Sequence, residues 1–150
     1  MNPLRVLVVE DNPADVRLLR EALKAARVWC ELDVVEDGEA ALDYLFRRGR
    51  FSSVAEPELV LLDLNLPRKN GLEVLAIVKA DPTLKRVPIV ILTTSENEDD
   101  VLRTDALKAS CYIRKPPKLD DFIRIVRAID NFWLTIVRLP PGEVPPAVRP

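Results

Sequence analysis

The sequence predicts an α/β fold of the (βα)5 type, a doubly wound parallel sheet with strand order 2-1-3-4-5 and helices on both faces. Two observations predict it. Short apolar runs alternate along the chain with longer amphipathic segments, which is typical of a parallel sheet with helices between its strands. The 150 residues suffice for one domain with a sizeable core, whereas two domains would be crowded.

Five short segments are predicted strands. Residues 6–9, 59–62 and 89–92 are continuous apolar runs, as expected of strands that are covered on both faces. Residues 32–35 and 111–114 are more polar and suit the edges of a sheet. Right-handed crossovers with the three apolar runs in the centre favour the order 2-1-3-4-5.

Five amphipathic segments between and after these strands are predicted helices. Their bounds are residues 13–27, 38–48, 72–80, 97–108 and 119–138. Asn12 is the expected N-cap of the first, with Pro13 at the first helical position. Asp37 is the expected cap of the second helix, and the third ends before Pro82.

The composition excludes several classes of site. The sequence contains no histidine, which excludes a Ser-His-Asp triad, a histidine-ligated zinc site and phosphohistidine within this chain. The net charge of −2 provides no basic surface for nucleic acid. No apolar run approaches membrane-spanning length, and the amino terminus lacks a secretory leader pattern. We therefore expect a cytoplasmic protein that binds neither nucleic acid nor membranes.

Polar residues follow the predicted strands where each one ends. Glu10 and Asp11 follow the first strand, Asp63 the third and Lys115 the fifth, and Thr93 ends the fourth. The carboxyl ends of parallel strands meet at one edge of the sheet, so these side chains should lie together. Three carboxylates repel one another unless a hard cation such as Mg²⁺ binds them. With a lysine and a hydroxyl donor, they are suited to binding a phosphoryl group.

The residues at these strand ends resemble the receiver domain of bacterial response regulators. The resemblance covers about residues 4–130. It is carried by residues 6–12, 61–67, 70–71, 91–93 and 115–116. It implies that Asp63 accepts a phosphoryl group from a sensor histidine kinase, and that the domain catalyses only its own phosphorylation and dephosphorylation.

The resemblance also implies a metal site and a switch. Asp11 and Asp63 are expected to bind Mg²⁺ directly, Glu10 largely through water, and Asn65 through its backbone carbonyl. The other implied residues are the switch threonine Thr93, the phosphoryl-pairing lysine Lys115, the aromatic switch Tyr112 on the fifth strand, and a cis Lys115–Pro116 bond.

The receiver is assigned to residues 1–130 and a dimerisation arm to residues 131–150. The arm extends the fifth helix with apolar residues that would point nearly all round it, and it ends in a proline-rich tail. We expect a homodimer through Phe132, Trp133, Ile136 and Val137, although these residues could instead cover the chain's own surface. This extension resembles the single-domain regulators of phytochrome-type kinases when it is taken together with the loop at residues 47–56 and with residues 64–71 and 92–95.

Three other functions remain open from the residues alone. A degenerate receiver would act as a binding module independently of phosphorylation, which would require an inactive site. A phosphohydrolase of the haloacid dehalogenase type should carry its nucleophile after the first strand, with a second aspartate two residues on, whereas this chain offers Glu10, Asp11 and Asn12 there. A flavodoxin-like carrier would need a phosphate loop after that strand.

Overall fold

Two compact units make up the chain, residues 1–16 with 30–115 and residues 17–29 with 116–150. The first contains the whole sheet, and the second contains most of the first helix and all of the last. The computed structural model describes residues 3–94, 107, 109, 111–115 and 118–136. For Cys111 and residues 130–136 the description is of the backbone only.

Five parallel strands form one sheet in the order β2-β1-β3-β4-β5, which confirms the predicted topology. The strands are β1 (Leu4–Val9), β2 (Cys30–Val35), β3 (Leu59–Leu62), β4 (Ile89–Thr93) and β5 (Cys111–Arg114). The central strands β1, β3 and β4 are buried at nearly every residue, whereas β2 at the edge alternates between half-buried and exposed positions. The sheet therefore has the apolar central strands and the more polar edge that the sequence predicts.

The helices within the described residues match four of the five predicted ones. They are α1 (Pro13–Ala25), α2 (Gly38–Leu45), α3 (Gly71–Ala80) and α4 (Leu119–Ile136). The helix predicted over residues 97–108 lies outside the described residues except for Leu107, which is in a turn. The predicted cis bond before Pro116 also lies outside them. Among the helices of the described residues, none combines the length and hydrophobicity that a bilayer-spanning segment requires.

The predicted starts of the first two helices are confirmed, but both helices end earlier than predicted. Ala14 donates its backbone N–H to Oδ1 of Asn12 at 2.9 Å, and Ala40 donates to Oδ1 of Asp37 at 2.7 Å. Helix α1 ends two residues early because Arg27 adopts a left-handed conformation with φ 58°. Helix α2 ends three residues early, and residues 49–51 form a single 3₁₀ turn inside the segment predicted as a loop.

Helices α2 and α3 pack against one face of the sheet within the first unit. Their apolar stripes, represented by Leu42 and Leu75, join alternate strand residues such as Leu7, Leu62 and Ile91 in one buried cluster. Because this cluster includes residues from β1, β3 and β4, it holds the ends of these strands in a fixed register. The packing therefore positions the polar residues that follow the strands.

Candidate functional site

The edge of the sheet at the carboxyl ends of the strands brings the predicted site residues together. The backbone N–H of Glu10 bonds to Val35, that of Asp63 to Val9 at 3.1 Å, and that of Lys115 to Thr93 at 2.8 Å. These bonds continue the parallel ladder one residue beyond the strands. The side chains of Glu10, Asp63, Thr93 and Lys115 consequently face one another across neighbouring strands.

Asp63 is the centre of the site. It is 6% exposed, and the fully buried hydroxyl of Thr93 donates to its Oδ1 at 2.7 Å. The backbone N–H of Asn65 donates to the same oxygen at 3.1 Å, and the ammonium of Lys115 donates to Oδ2 at 3.0 Å. Both carboxylate oxygens therefore accept hydrogen bonds, which holds the carboxylate in one orientation.

Lys115 is shared among three carboxylates. Its ammonium donates to Glu10, to Oδ2 of Asp63, and to Oδ2 of Asp15 at 2.9 Å. The Lys115 side chain is only 6% exposed, so the carboxylates rather than water balance its charge. Asp15 is a residue of this site that the sequence pattern did not indicate. The signal that could have found it is a carboxylate in the first turn of α1, four residues after Asp11 and close to the ends of the strands.

The pKa values show how strongly the site depends on this lysine. Burial raises the pKa of Glu10 to about 7, although Lys115 and the N–H of Asn12 oppose the rise. Burial also acts to raise the pKa of Asp63, but the hydrogen bond from Thr93 and the charge of Lys115 hold it below its usual value. Burial would lower the pKa of Lys115, but the carboxylates of Asp15, Glu10 and Asp63 raise it. Asp63 and Lys115 are therefore both charged at neutral pH, while Glu10 is close to its midpoint.

Glu10, Asp11 and Asp63 meet the requirements of a divalent cation site. Each can contribute a carboxylate oxygen, and these oxygens lie within 4.8 Å of one another. Glu10 and Asp63 are buried, whereas Asp11 is exposed and leaves one side open to water. Hard oxygen ligands with room for water are what Mg²⁺ prefers, and its charge would relieve the repulsion between these carboxylates.

The loop after Asp63 is held close to two helix starts. A Cβ on Gly71 would lie 2.3 Å from the backbone oxygen of Asp63, and one on Gly38 would lie 1.9 Å from the backbone oxygen of Lys69. Both positions therefore require glycine. The N–H of Gly71 also donates to the carbonyl of Leu64 at 3.0 Å, which fixes the start of the loop beside the site.

The remaining predicted site residues lie farther along the chain. Tyr112 is half-buried on β5, pairs in register with Ile91 and packs against the buried cluster of the first unit. Its role as a switch, like the use of the Asn65 carbonyl as a metal ligand, stays a prediction. The side chains of Phe132, Trp133 and Ile136, and the whole of Val137, lie outside the described residues.

Comparison with known proteins gives consistent matches over nearly the whole chain. The model of a family described as the response regulator receiver domain matches residues 6–127. The response regulator Rcp1 of Synechocystis sp. is 47% identical over 138 residues, which cover 92% of this chain and 94% of that protein.

Solved structures show the same likeness. The phosphorylated cyanobacterial phytochrome response regulator RcpA superposes with a TM-score of 0.84 at 47% identity, covering 92% of this chain and 99% of that one. The Mn²⁺-bound form of Rcp1 superposes with a TM-score of 0.83 at the same identity and coverage. Rcp1, a relative with the same fold, therefore binds a divalent cation. The present chain carries the acidic cluster described above in that fold.

Proposed function

This chain belongs to the response regulator receiver domain family, and from that premise we propose that Asp63 accepts a phosphoryl group from the phosphohistidine of a sensor kinase. The observation that carries the proposal is a pair of donors on one carboxylate. The Thr93 hydroxyl and the Lys115 ammonium both bond to Asp63, beside the carboxylates of Glu10 and Asp11. Because the chain contains no histidine, the donor histidine belongs to a separate protein or domain.

The transfer is a nucleophilic displacement at phosphorus. A carboxylate oxygen of Asp63 forms a bond to phosphorus as the bond from phosphorus to the histidine nitrogen breaks. That nitrogen leaves with the bonding electron pair and takes up a proton. The hydrogen bond from Thr93 and the charge of Lys115, which hold the pKa of Asp63 low, keep this carboxylate ionised for the attack.

The carboxylate cluster would hold Mg²⁺ for this reaction. Asp11 and Asp63 would be direct ligands, with Glu10 through water and the backbone carbonyl of Asn65 completing the protein's contribution. When bound, Mg²⁺ supplies positive charge beside the phosphoryl oxygens.

Phosphorylation then changes the partners of the residues around Asp63. The phosphoryl group carries almost two negative charges, which favours pairing with the Lys115 ammonium and draws the Thr93 hydroxyl toward it. Tyr112 rotates into the space that Thr93 leaves. The resulting surface binds a downstream protein, and the domain catalyses no reaction other than its own phosphorylation and dephosphorylation.

Intact mass spectrometry after incubation with acetyl phosphate tests the acceptor. The wild type should gain one phosphoryl group in the presence of magnesium and none when it is chelated. Asp63→Asn should gain none. Asp43→Asn, which removes an exposed carboxylate on α2, is the matched control and should behave as the wild type. A phosphorylated Asp63→Asn variant would refute the assignment, and an unmodified wild type would favour a binding module independent of phosphorylation.

The donor is inferred to be a phytochrome-type histidine kinase in the cytoplasm. The support is the 47% identity to RcpA, described as a cyanobacterial phytochrome response regulator. Transfer from an autophosphorylated bacteriophytochrome kinase should be faster than transfer from an unrelated histidine kinase at equal concentration. Equal rates from both kinases would contradict this inference.

The dimerisation arm, residues 131–150 after the receiver at 1–130, is inferred to pair two copies of the chain. Helix α4 continues through Ile136, so residues 132–136 of the apolar segment are helical. Large apolar side chains each contribute about 1.5–3 kcal/mol when buried. A sequence that places them nearly all round a helix favours contact with a second copy.

Light scattering coupled to size-exclusion chromatography tests the arm. The full chain and a version ending after Arg138, which keeps the apolar segment, should both have the mass of a dimer. A version ending after Asp130 should have the mass of a monomer. A dimeric mass for this shortest version, or a monomeric mass for the full chain, would contradict the proposed arm.

A further inference from the structure

The Lys115 ammonium bonds to three carboxylates, and only two of them belong to the candidate cation site. An ammonium offers three N–H donors, and here they reach Glu10, Asp63 and Asp15. Glu10 and Asp63 belong to the cluster whose carboxylate oxygens lie within 4.8 Å of one another, and Asp15 does not. One of the three ion pairs of Lys115 is therefore made outside the candidate cation site.

This third ion pair matters when a cation binds, a step that rests on the proposed function. A divalent cation on the cluster competes with Lys115 for the oxygens of Glu10 and Asp63. The Lys115 side chain is 6% exposed, so water cannot readily replace the partners that it loses. A buried charge without a partner is costly, and that cost would weaken the binding of the cation.

Asp15 is suited to reduce this cost. Its side chain is 29% exposed and lies in the first turn of α1, at 2.9 Å from the ammonium. It can keep its bond to Lys115 while Glu10 and Asp63 turn to the cation. We propose that Asp15 is a positioning residue that retains the Lys115 ammonium when a divalent cation binds, and thereby strengthens cation binding without being a ligand.

A different role for Asp15 predicts a different result. An acidic residue in the first turn of a helix stabilises that helix through its dipole. If stabilising the helix were the whole function of Asp15, Asp15→Asn would lower the stability of the protein. Any change in the affinity for the cation would then be the same with and without Lys115. The coupling between the two residues therefore distinguishes the two roles.

A double-mutant cycle read by isothermal titration calorimetry with magnesium chloride tests the proposal on the full chain. Asp15→Asn should weaken magnesium binding about threefold to fivefold, the range expected for a partly exposed ion pair. In a Lys115→Met background the same substitution should change the affinity less than about twofold, because the ammonium that Asp15 retains is gone. Glu21→Gln, which removes an exposed carboxylate farther along α1, is the control for the loss of one charge and should bind as the wild type.

Each other outcome overturns the proposal. An unchanged magnesium affinity in Asp15→Asn shows that the ion pair with Lys115 does not contribute to cation binding. An equal loss in both backgrounds shows that Asp15 acts on the cation directly. Circular dichroism verifies that each variant is folded, and Asp15→Ser provides the same cycle if Asp15→Asn is not. Wild-type protein that binds no magnesium would instead contradict the proposed function, so the two failures are distinguishable.

Discussion

At the level of single residues, Asp63 combines burial with charge. A carboxylate that is 6% exposed would ordinarily favour its protonated form. The donors from Thr93, Asn65 and Lys115 reverse that tendency and hold its pKa low. Glu10 is equally buried but its pKa is raised to about 7. Two carboxylates on one edge of the sheet thus differ in charge because their hydrogen-bond donors differ.

Replacing Thr93 with valine should destabilise the protein. The change keeps the volume but removes the hydroxyl that donates to Asp63 at 2.7 Å. A buried carboxylate that loses one donor costs about 1–3 kcal/mol. Urea denaturation at neutral pH without magnesium should show a decrease of that size in the free energy of unfolding. Thr93→Ser keeps the donor and should lose less, so equal losses in the two variants would show that the hydroxyl is not the cause.

At the level of secondary-structure elements, close approaches at helix starts hold the loop after Asp63 in place. The Gly38→Ala variant would place a methyl group 1.9 Å from the backbone oxygen of Lys69. The loop or α2 must then move, which we expect to cost about 2–3 kcal/mol.

Gly49→Ala is the matched control for that substitution. Gly49 has φ +56° and nothing within 4 Å of the added atom, so only backbone strain of about 1 kcal/mol is expected. Thermal unfolding of both variants measures the difference. A Gly49→Ala loss equal to or larger than the Gly38→Ala loss would show that the close approach to Lys69 is not the dominant effect.

The bond between α2 and β2 should appear in the pH dependence of stability. Tyr44 is buried on α2, and its hydroxyl donates to Oδ2 of Asp33 on β2 at 2.5 Å. Burial and this hydrogen bond to a carboxylate raise the pKa of Tyr44 above its ordinary value of 10.0. The folded protein therefore holds this proton more tightly than the unfolded chain does.

The sign of the effect follows from that difference. Below about pH 10 both states keep the Tyr44 proton, so its contribution to stability is constant. Above that pH the unfolded chain loses the proton first, and the free energy of unfolding decreases as the pH rises. Tyr44→Phe should show a smaller decrease than the wild type in urea denaturation between pH 9 and about pH 11. Parallel curves for the two proteins would refute this assignment.

At the level of the whole molecule, cation binding and folding are linked. The cluster of Glu10, Asp11 and Asp63 joins the ends of two strands that are about fifty residues apart in sequence, so the unfolded chain does not present it. A ligand that binds only the folded state raises its stability in proportion to the logarithm of its concentration.

Magnesium should therefore raise the melting temperature of the wild type progressively as its concentration exceeds the dissociation constant. Asp11→Asn should lose most of this increase, because Asp11 is an expected direct ligand. Asp43→Asn should retain it. Differential scanning fluorimetry over a magnesium titration measures all three proteins. An increase in Asp11→Asn equal to that of the wild type would contradict the assigned ligand.

The sequence alone determined the features that depend on local pattern and on chain direction. Continuous apolar runs predicted the buried strands, and Asn12 and Asp37 predicted the helix starts, because burial periodicity and capping involve residues within a turn or two of each other. The meeting of Asp63, Thr93 and Lys115 was also predictable, because parallel strands bring their carboxyl ends to one edge.

Only the tertiary structure decided which groups touch and with what energetic effect. The ion pair of Asp15 with Lys115, the bond of Tyr44 to Asp33 and the contact of Gly38 with Lys69 all join separate elements. The raised pKa of Glu10 arises from burial by the folded chain. Whether two such groups touch depends on shifts of about an ångström. The electrostatic energy of a buried charge changes steeply over that distance. The sequence pattern specifies on which face of a helix or at which edge of the sheet a residue lies, whereas packing sets the distance between two groups.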